Sequence, residues 1–167
     1  METQLSIRIG QGFDVHRFGQ PSQAEHHIWL GGIAIPADRP LIAHSDGDVL
    51  LHSLCDALLG ALGLGDIGEH FADTDPTHHQ RASSEFVTIC MAMLDRHGWC
   101  VGNVDCTVIA QTPRLSQYKD AIKAHISALL CVELSQVNVA ATTTETLGFT
   151  GRGEGVAAQC VALLLKK

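Results

Sequence analysis

Apolar and polar positions along the 167-residue chain change period several times, and each change marks an element. Leu5 to Val15 alternates with period two, as a half-buried strand does. Gly10 and Gly12 interrupt it on one side, which suggests that another backbone approaches closely there. His27 to Leu30 and Ile33 to Ile35 flank Gly31-Gly32, a hairpin pattern. Leu51, Leu54, Cys55, Leu58, Leu59 and Leu62 then recur at helical spacing, with His44-Ser45-Asp46 upstream as cap residues. Asp48, His52 and Asp56, spaced i, i+4, i+8, are expected to share that helix's other face. Gly65 to Ser84 has no period; it contains Asp66, Asp73, Asp75 and His78-His79, and a stretch this long reads as a functional or mobile loop. Glu85 to His97 is a second helix stopped by Gly98, Asn103 to Gln111 a strand, and Ser116 to Leu130 a third helix. Val137 to Thr144 and Val156 to Leu165 are further strands. Strands interleaved with helices and one hairpin predict a single α/β (α+β) domain over 1–167 with a mixed sheet.

Composition narrows the class. No apolar run reaches the ~18 residues of a membrane span, and Met-Glu-Thr-Gln-Leu-Ser has neither the basic nor the apolar region of a signal peptide. A cytoplasmic protein with no membrane partner is expected. The net charge of −7 argues against nucleic acid. It also means that binding a phosphate requires gathered local charge, which metals provide. The cysteines Cys55, Cys90, Cys100, Cys106, Cys131 and Cys160 form no C-x-x-C pair and read as reduced thiols.

The chemistry gathers in two fragments, Gly12-Phe13-Asp14-Val15-His16 and Ala43-His44-Ser45-Asp46-Gly47-Asp48 with His52 beyond it. Asp14 and His16 lie two apart and so face one way from a strand. With His52 they offer three ligands and leave a fourth position open, which suits a catalytic zinc better than a structural one. Ten histidines make chance spacing easy, so a surface aspartate with two unrelated histidines stays open on spacing alone. Thr142-Thr143-Thr144-Glu145 is either a strand end running into a turn or a set of hydroxyls and a carboxylate for phosphate and a hard divalent cation. The glycine-rich segment 148–155 fits neither dinucleotide nor Walker patterns; Arg152 within it is a bidentate phosphate donor by type.

Taken together, segment 8–16, segment 43–48, Gly65-Asp66-Ile67-Gly68, Phe71 to Pro76, Asn103-Val104-Asp105 and Thr142 to Gly155 closely resemble, in order and over nearly the full length, the 2-C-methyl-D-erythritol 2,4-cyclodiphosphate synthases. The resemblance implies a homotrimer around a central β core, helices on one face of each sheet, and active sites between subunits. It implies a phosphorus–oxygen lyase of the non-mevalonate isoprenoid pathway. Such an enzyme cyclises 4-diphosphocytidyl-2-C-methyl-D-erythritol 2-phosphate, a cytidine diphosphate derivative, and releases CMP. Zinc would sit on Asp14, His16 and His52, and magnesium or manganese near Glu145. His44 and Thr143 would be catalytic, with Ser45, Thr142 and Thr144 also at the phosphates. Asp56, Asp66, Ile67 and Gly68 would hold the methylerythritol. Phe71, Ala72, Asp73, Thr74 and Asp75 would form a flap. Ala110, Gln111, Thr112, Pro113, Arg114, Leu115 and Ser116 would contact cytosine from a neighbouring subunit. Phe149 and Arg152 would line phosphate or trimer-axis contacts, where an isoprenoid diphosphate also fits. Two departures stand out: Ala140 where the family often has lysine, and Arg114 where lysine is common. A water-using phosphodiesterase and a non-catalytic binding module are the competing classes; a cyclic product without solvent oxygen separates the first from the cyclase.

Overall fold

The computed structural model describes residues 6–22, 24–71 and 81–167. Its centre is a four-stranded mixed sheet in the order β1-β6-β4-β5. Strand β1 spans Ile7–Arg17, β4 Trp99–Ile109, β5 Val137–Thr142 and β6 Gly155–Lys166. β6 runs antiparallel to both β1 and β4, while β4 and β5 are parallel. A parallel pair needs a crossover, and helix α4 (Lys119–Leu130) supplies it. Strands β2 (His26–Leu30) and β3 (Ile33–Ala37) form a separate hairpin, as the glycine pair predicts.

Helix α1 (Val49–Leu62) lies against β1 and β6, and α3 (Ser83–Arg96) packs on α1. A short helix, α2 (Ile67–His70), follows α1, and another, α5 (Gly148–Gly151), precedes β6. Leu50, Leu51, Leu54, Leu58 and Leu59 of α1 are fully buried together with Ile28, Leu30, Ile35, Leu94, Ile122 and Ile126. The opposite face of the sheet carries Ile7, Ile9, Phe13, Val161 and Leu165 exposed, Ile9 at 67%.

Two readings from the pattern need correction. The cap of α1 is Asp48, whose side chain accepts from Leu51 N–H; His44, Ser45 and Asp46 lie upstream of it. Nor does α1 have a broad polar face: every residue but Asp56 and Gly60 is buried. The reason is the close contact with β1. A Cβ on Gly10 would lie 1.9 Å from the Ala57 carbonyl oxygen, and one on Gly12 2.0 Å from that of Ser53. Helix and strand touch backbone to backbone on that side, and α3 covers the other, so little of α1 is left to solvent. The aperiodic stretch also contains more structure than expected, since α2 lies inside it and α3 begins at Ser83. Ala72, Asp73, Thr74, Asp75 and His78-His79 lie outside the described residues. All six cysteines are free; Cys55, Cys90, Cys106 and Cys160 are buried, Cys131 exposed. Among the described residues no helix is long and apolar enough to cross a membrane.

Candidate functional site

Asp14 and His16 leave β1 on the same side as Gly10 and Gly12, the side that meets α1. Because the glycines let α1 sit so close, His52, one residue before Ser53, lands beside them. His52 Nδ1 is 3.1 Å from Asp14 Oδ2 and 3.0 Å from His16 Nε2. His16 Nε2 is 3.3 Å from the same Asp14 oxygen. The two imidazoles meet edge-on at 80°. Among the described residues this is the cluster whose donor atoms converge as a metal's ligands do. Donors bonded at ~2.0–2.1 Å to a tetrahedral ion stand roughly 3.3 Å apart, so the three residues fit a single divalent cation.

The electrostatics agree. Burial raises the Asp14 carboxyl, but the hydrogen bond from His52 and the charges of His16 and His52 outweigh it and leave the group below its ordinary range. Burial lowers His52, yet the Asp14 bond and the charges of Asp14, Asp48 and Asp46 hold it above the ordinary histidine value. The site thus favours a positive charge between a carboxylate and two imidazoles.

Beside the cluster opens a cavity of about 260 Å³ lined by His16, Ile42, Ala43, His44, Ser45, His52, Ile67, Gly68, Phe71 and Phe86. Asp56 Oδ1 accepts the Ile67 N–H at 2.7 Å and so ties α2 to α1 at the cavity edge. Burial raises the Asp56 carboxyl against that bond. Asp66 is exposed and caps α2 through Glu69 N–H. Asp48, which the spacing places on the face of His52, serves the scaffold instead. It is fully buried and accepts N–H groups of Gly31 and Gly32 at 2.9 and 2.6 Å, pinning the β2–β3 hairpin to the start of α1. Four residues escaped the sequence reading. Ile42 and Phe86, in the cavity wall, are ordinary apolar positions there; Asp46 and Ser83, bonded to each other behind His52, read there as a cap residue and as part of the aperiodic stretch.

The remaining predicted residues gather elsewhere on the chain. Ala110, Gln111, Pro113, Arg114, Leu115, Ser116, Thr142 and Thr143 line a second cavity of about 370 Å³ together with Lys119 and Ala141. Thr112 lines a neighbouring hollow against Pro36, Ala37 and Asp38. Glu145 Oε1 accepts from the Thr143 hydroxyl at 3.3 Å. Glu145 and Thr146 both have left-handed backbones, φ 53° and 66°, a strained geometry for side chains with a Cβ. Thr144 Oγ1 is engaged by the Leu147 carbonyl and Thr150 Oγ1, so its hydroxyl holds the loop. Phe149 lines a third hollow with Val15 and Arg17, and Arg152 is forked onto Glu154 at 2.7 and 3.2 Å. The first two cavities share no lining residue. Within one chain, therefore, the cavity lined by His16 and His52 and the cavity lined by Thr142 and Thr143 are distinct.

Comparison with known proteins gives a consistent match. Residues 7–165 match the YgbB family. The 2-C-methyl-D-erythritol 2,4-cyclodiphosphate synthase of Halalkalibacterium halodurans is 51% identical over 160 residues, covering 96% of this chain and 99% of that protein. The synthase of the same name from Stutzerimonas stutzeri is 54% identical with the same coverage. Among solved structures, IspF of Plasmodium falciparum in complex with CDP superposes with a TM-score of 0.84 at 35% identity, covering 97% of each chain. The bifunctional IspDF of Campylobacter jejuni superposes with a TM-score of 0.91 at 42% identity; 98% of this chain matches, and it spans 43% of that longer chain. The chain belongs to the YgbB family, that of the 2-C-methyl-D-erythritol 2,4-cyclodiphosphate synthases.

Proposed function

We propose that the protein converts 4-diphosphocytidyl-2-C-methyl-D-erythritol 2-phosphate to 2-C-methyl-D-erythritol 2,4-cyclodiphosphate and CMP, as a metal-dependent phosphorus–oxygen lyase of the non-mevalonate isoprenoid pathway. One domain, 1–167, forms a cytoplasmic homotrimer whose active sites lie between subunits. The observation that carries the reading is the three-donor cluster at the mouth of a mostly apolar cavity in a chain half identical to synthases of that name.

An oxygen of the 2-phosphate bonds to the β-phosphorus, the bond from that phosphorus to the bridging oxygen breaks, and CMP leaves with the electron pair. The nucleophile is already an anion near neutral pH, so the protein needs no strong base. Its tasks are to bend a flexible diphosphate into a ring-closing conformer and to keep water out. Asp14, His16 and His52 would hold a cation, zinc in our reading, and Glu145 a magnesium or manganese ion; such charges offset the repulsion between two phosphate anions. His44 and Ser45 meet the phosphates at the rim. Asp56, Asp66, Ile67 and Gly68 receive the methylerythritol, while Ile42, Phe71 and Phe86 exclude water. Thr142, Thr143 and the 110–116 loop take the diphosphate and the cytosine.

Two features support the trimer. The predicted site residues divide between two cavities with no common lining residue, as expected if a neighbour's loop completes each site. The sheet face opposite α1 carries Ile7, Ile9, Phe13, Val161 and Leu165 exposed, an apolar surface that self-association would cover. The hollow at Phe149, near the same face, would line the axis and hold an isoprenoid diphosphate.

Subunit complementation tests the assignment. At a magnesium concentration that just saturates wild type, His52→Ala and Glu145→Gln chains should each release almost no CMP. Coexpressed in equal amounts, they should recover about a quarter of wild-type turnover, since one site in four then draws both halves from intact chains. No recovery in verified mixed oligomers would contradict a site shared between subunits.

A further inference from the structure

The outer nitrogen of His52, the one turned away from Asp14 and His16, is linked through a serine hydroxyl to a second carboxylate that the proposed reaction leaves unassigned. Ser83 is fully buried at the first position of α3. Ser83 Oγ lies 2.8 Å from His52 Nε2 and donates a short hydrogen bond to Asp46 Oδ1. The Ser83 N–H donates to Asp46 Oδ2 at 2.9 Å, and the Asp48 N–H to Asp46 Oδ1 at 3.1 Å. Asp46 therefore receives three donors and acts purely as an acceptor. Ser45 Oγ also stands 3.1 Å from His52 Nε2, and itself accepts the Gly47 N–H at 3.2 Å.

Proton counting settles the direction. A serine hydroxyl has one hydrogen. Ser83 gives it to Asp46, because a carboxylate cannot give one back. Toward His52 the Ser83 oxygen presents a lone pair, and as the closer of the two hydroxyls, 2.8 Å against 3.1 Å for Ser45, it favours a hydrogen on His52 Nε2. A cation that displaces the proton Nδ1 shares with Asp14 Oδ2 then meets a neutral imidazole whose remaining hydrogen is on Nε2 and whose lone pair is on Nδ1.

We infer that Asp46 and Ser83 are positioning residues that act through His52: they fix its tautomer and ring orientation so that Nδ1 is presented to a divalent cation. The inference rests on the metal assignment of Asp14, His16 and His52. It adds that the affinity of this site depends on a carboxylate–hydroxyl pair contributed by the 43–48 segment and by α3. Neither group touches the cation or the substrate in this role. Outer partners of ligating histidines typically contribute 10–100-fold to metal affinity.

The two variants perturb the relay differently. Ser83→Ala removes the acceptor and lets the ring turn. Asp46→Asn can turn its amide toward Ser83, which frees the serine hydrogen to donate to Nε2 and moves the imidazole hydrogen to Nδ1, against the metal. The test is zinc affinity by competition with a chromogenic chelator, together with ¹⁵N NMR of the histidine rings, the His52 signals assigned by their loss in His52→Ala. Wild-type protein is expected to show the Nε2–H tautomer when zinc is bound. Ser83→Ala should bind zinc about 10- to 100-fold more weakly. Asp46→Asn should lose at least as much and, free of metal, shift the His52 signals toward the Nδ1–H form. Wild-type protein that binds no zinc would overturn the metal assignment itself. Wild-type binding together with variants that bind within twofold of it, or an unchanged His52 tautomer in Asp46→Asn, would overturn the relay and leave the metal assignment standing. Should Ser83→Ala not fold, Asp46→Asn decides the matter alone.

Discussion

Gly12 sets the distance between the two elements that carry the metal cluster, and an alanine there should open it. The added Cβ would stand 2.0 Å from the Ser53 carbonyl oxygen, with Ala57 N and Asp56 Cβ both at 2.8 Å. The nearest of these are backbone atoms on a buried helix, so no side chain can swing aside. Real Cβ contacts stay above 3.0 Å, so α1 must retreat from β1 by about 1 Å. Overpacking of this kind costs about 1–3 kcal/mol, and a backbone obstacle places Gly12→Ala near the top of that range. The same retreat pulls His52 from Asp14 and His16, whose donor atoms now stand 3.0 to 3.3 Å apart. Zinc affinity should fall at least tenfold, about 1.4 kcal/mol, although no ligand has changed. Gly60 is the matched control. It lies on the same helix, and its added Cβ would meet only Gln11 O at 3.8 Å. Gly60→Ala should stabilise by up to about 1 kcal/mol through helix propensity and leave zinc binding alone. Urea unfolding with chelator competition measures both. A Gly12→Ala protein with wild-type stability and zinc affinity would refute the close-approach argument.

Three further outcomes follow from the site. His52→Ala should keep the fold and lose both bound zinc and nearly all CMP release; wild-type turnover by the metal-stripped variant would remove the imidazole from the chemistry. Glu145→Gln should raise the magnesium concentration needed for half-maximal rate, and an unchanged titration would count against a cation there. Asp56→Asn should trade activity for stability in metal-free protein. Burial holds the Asp56 carboxyl above 3.8 in the fold, so its contribution is favourable below the unfolded pKa and is lost as pH rises through the folded value. Asparagine keeps an acceptor for the Ile67 N–H and removes the charge. Its Tm should exceed that of wild type at pH 7, with the difference closing below about pH 4; a gap independent of pH would disprove the charge argument.

What the sequence disclosed, and what it hid, follows from the range of the forces involved. Asp14 and His16 are legible because a strand's period of two is local, and His52 because the leucine stripe of α1 is strong. The glycines at 10 and 12 announced a close approach without naming the partner, and that partner decides the rest. Pressed against β1, α1 loses its solvent face, so Asp48 turns inward to the hairpin N–H groups where spacing alone placed it beside His52. Asp46 and Ser83 were invisible as a pair because 37 residues separate them and each suits a helix start. That Thr143 lines a different cavity from His16 and His52 was equally hidden: both segments sit at strand ends, but which cavity each loop lines is settled by tertiary packing. The left-handed backbones at Glu145 and Thr146 leave no trace in composition, since neither is a residue that favours them.

The central claim is that the substrate's own phosphate, and not water, attacks the β-phosphorus. The measurement that meets it directly is incubation of the zinc- and magnesium-loaded protein with 4-diphosphocytidyl-2-C-methyl-D-erythritol 2-phosphate in ¹⁸O water. The products are followed by ³¹P NMR and mass spectrometry. Equal amounts of CMP and a cyclic diphosphate are expected, neither carrying ¹⁸O, with no turnover when chelator is present. An open-chain product with one ¹⁸O on phosphorus would contradict it and make the protein a hydrolase.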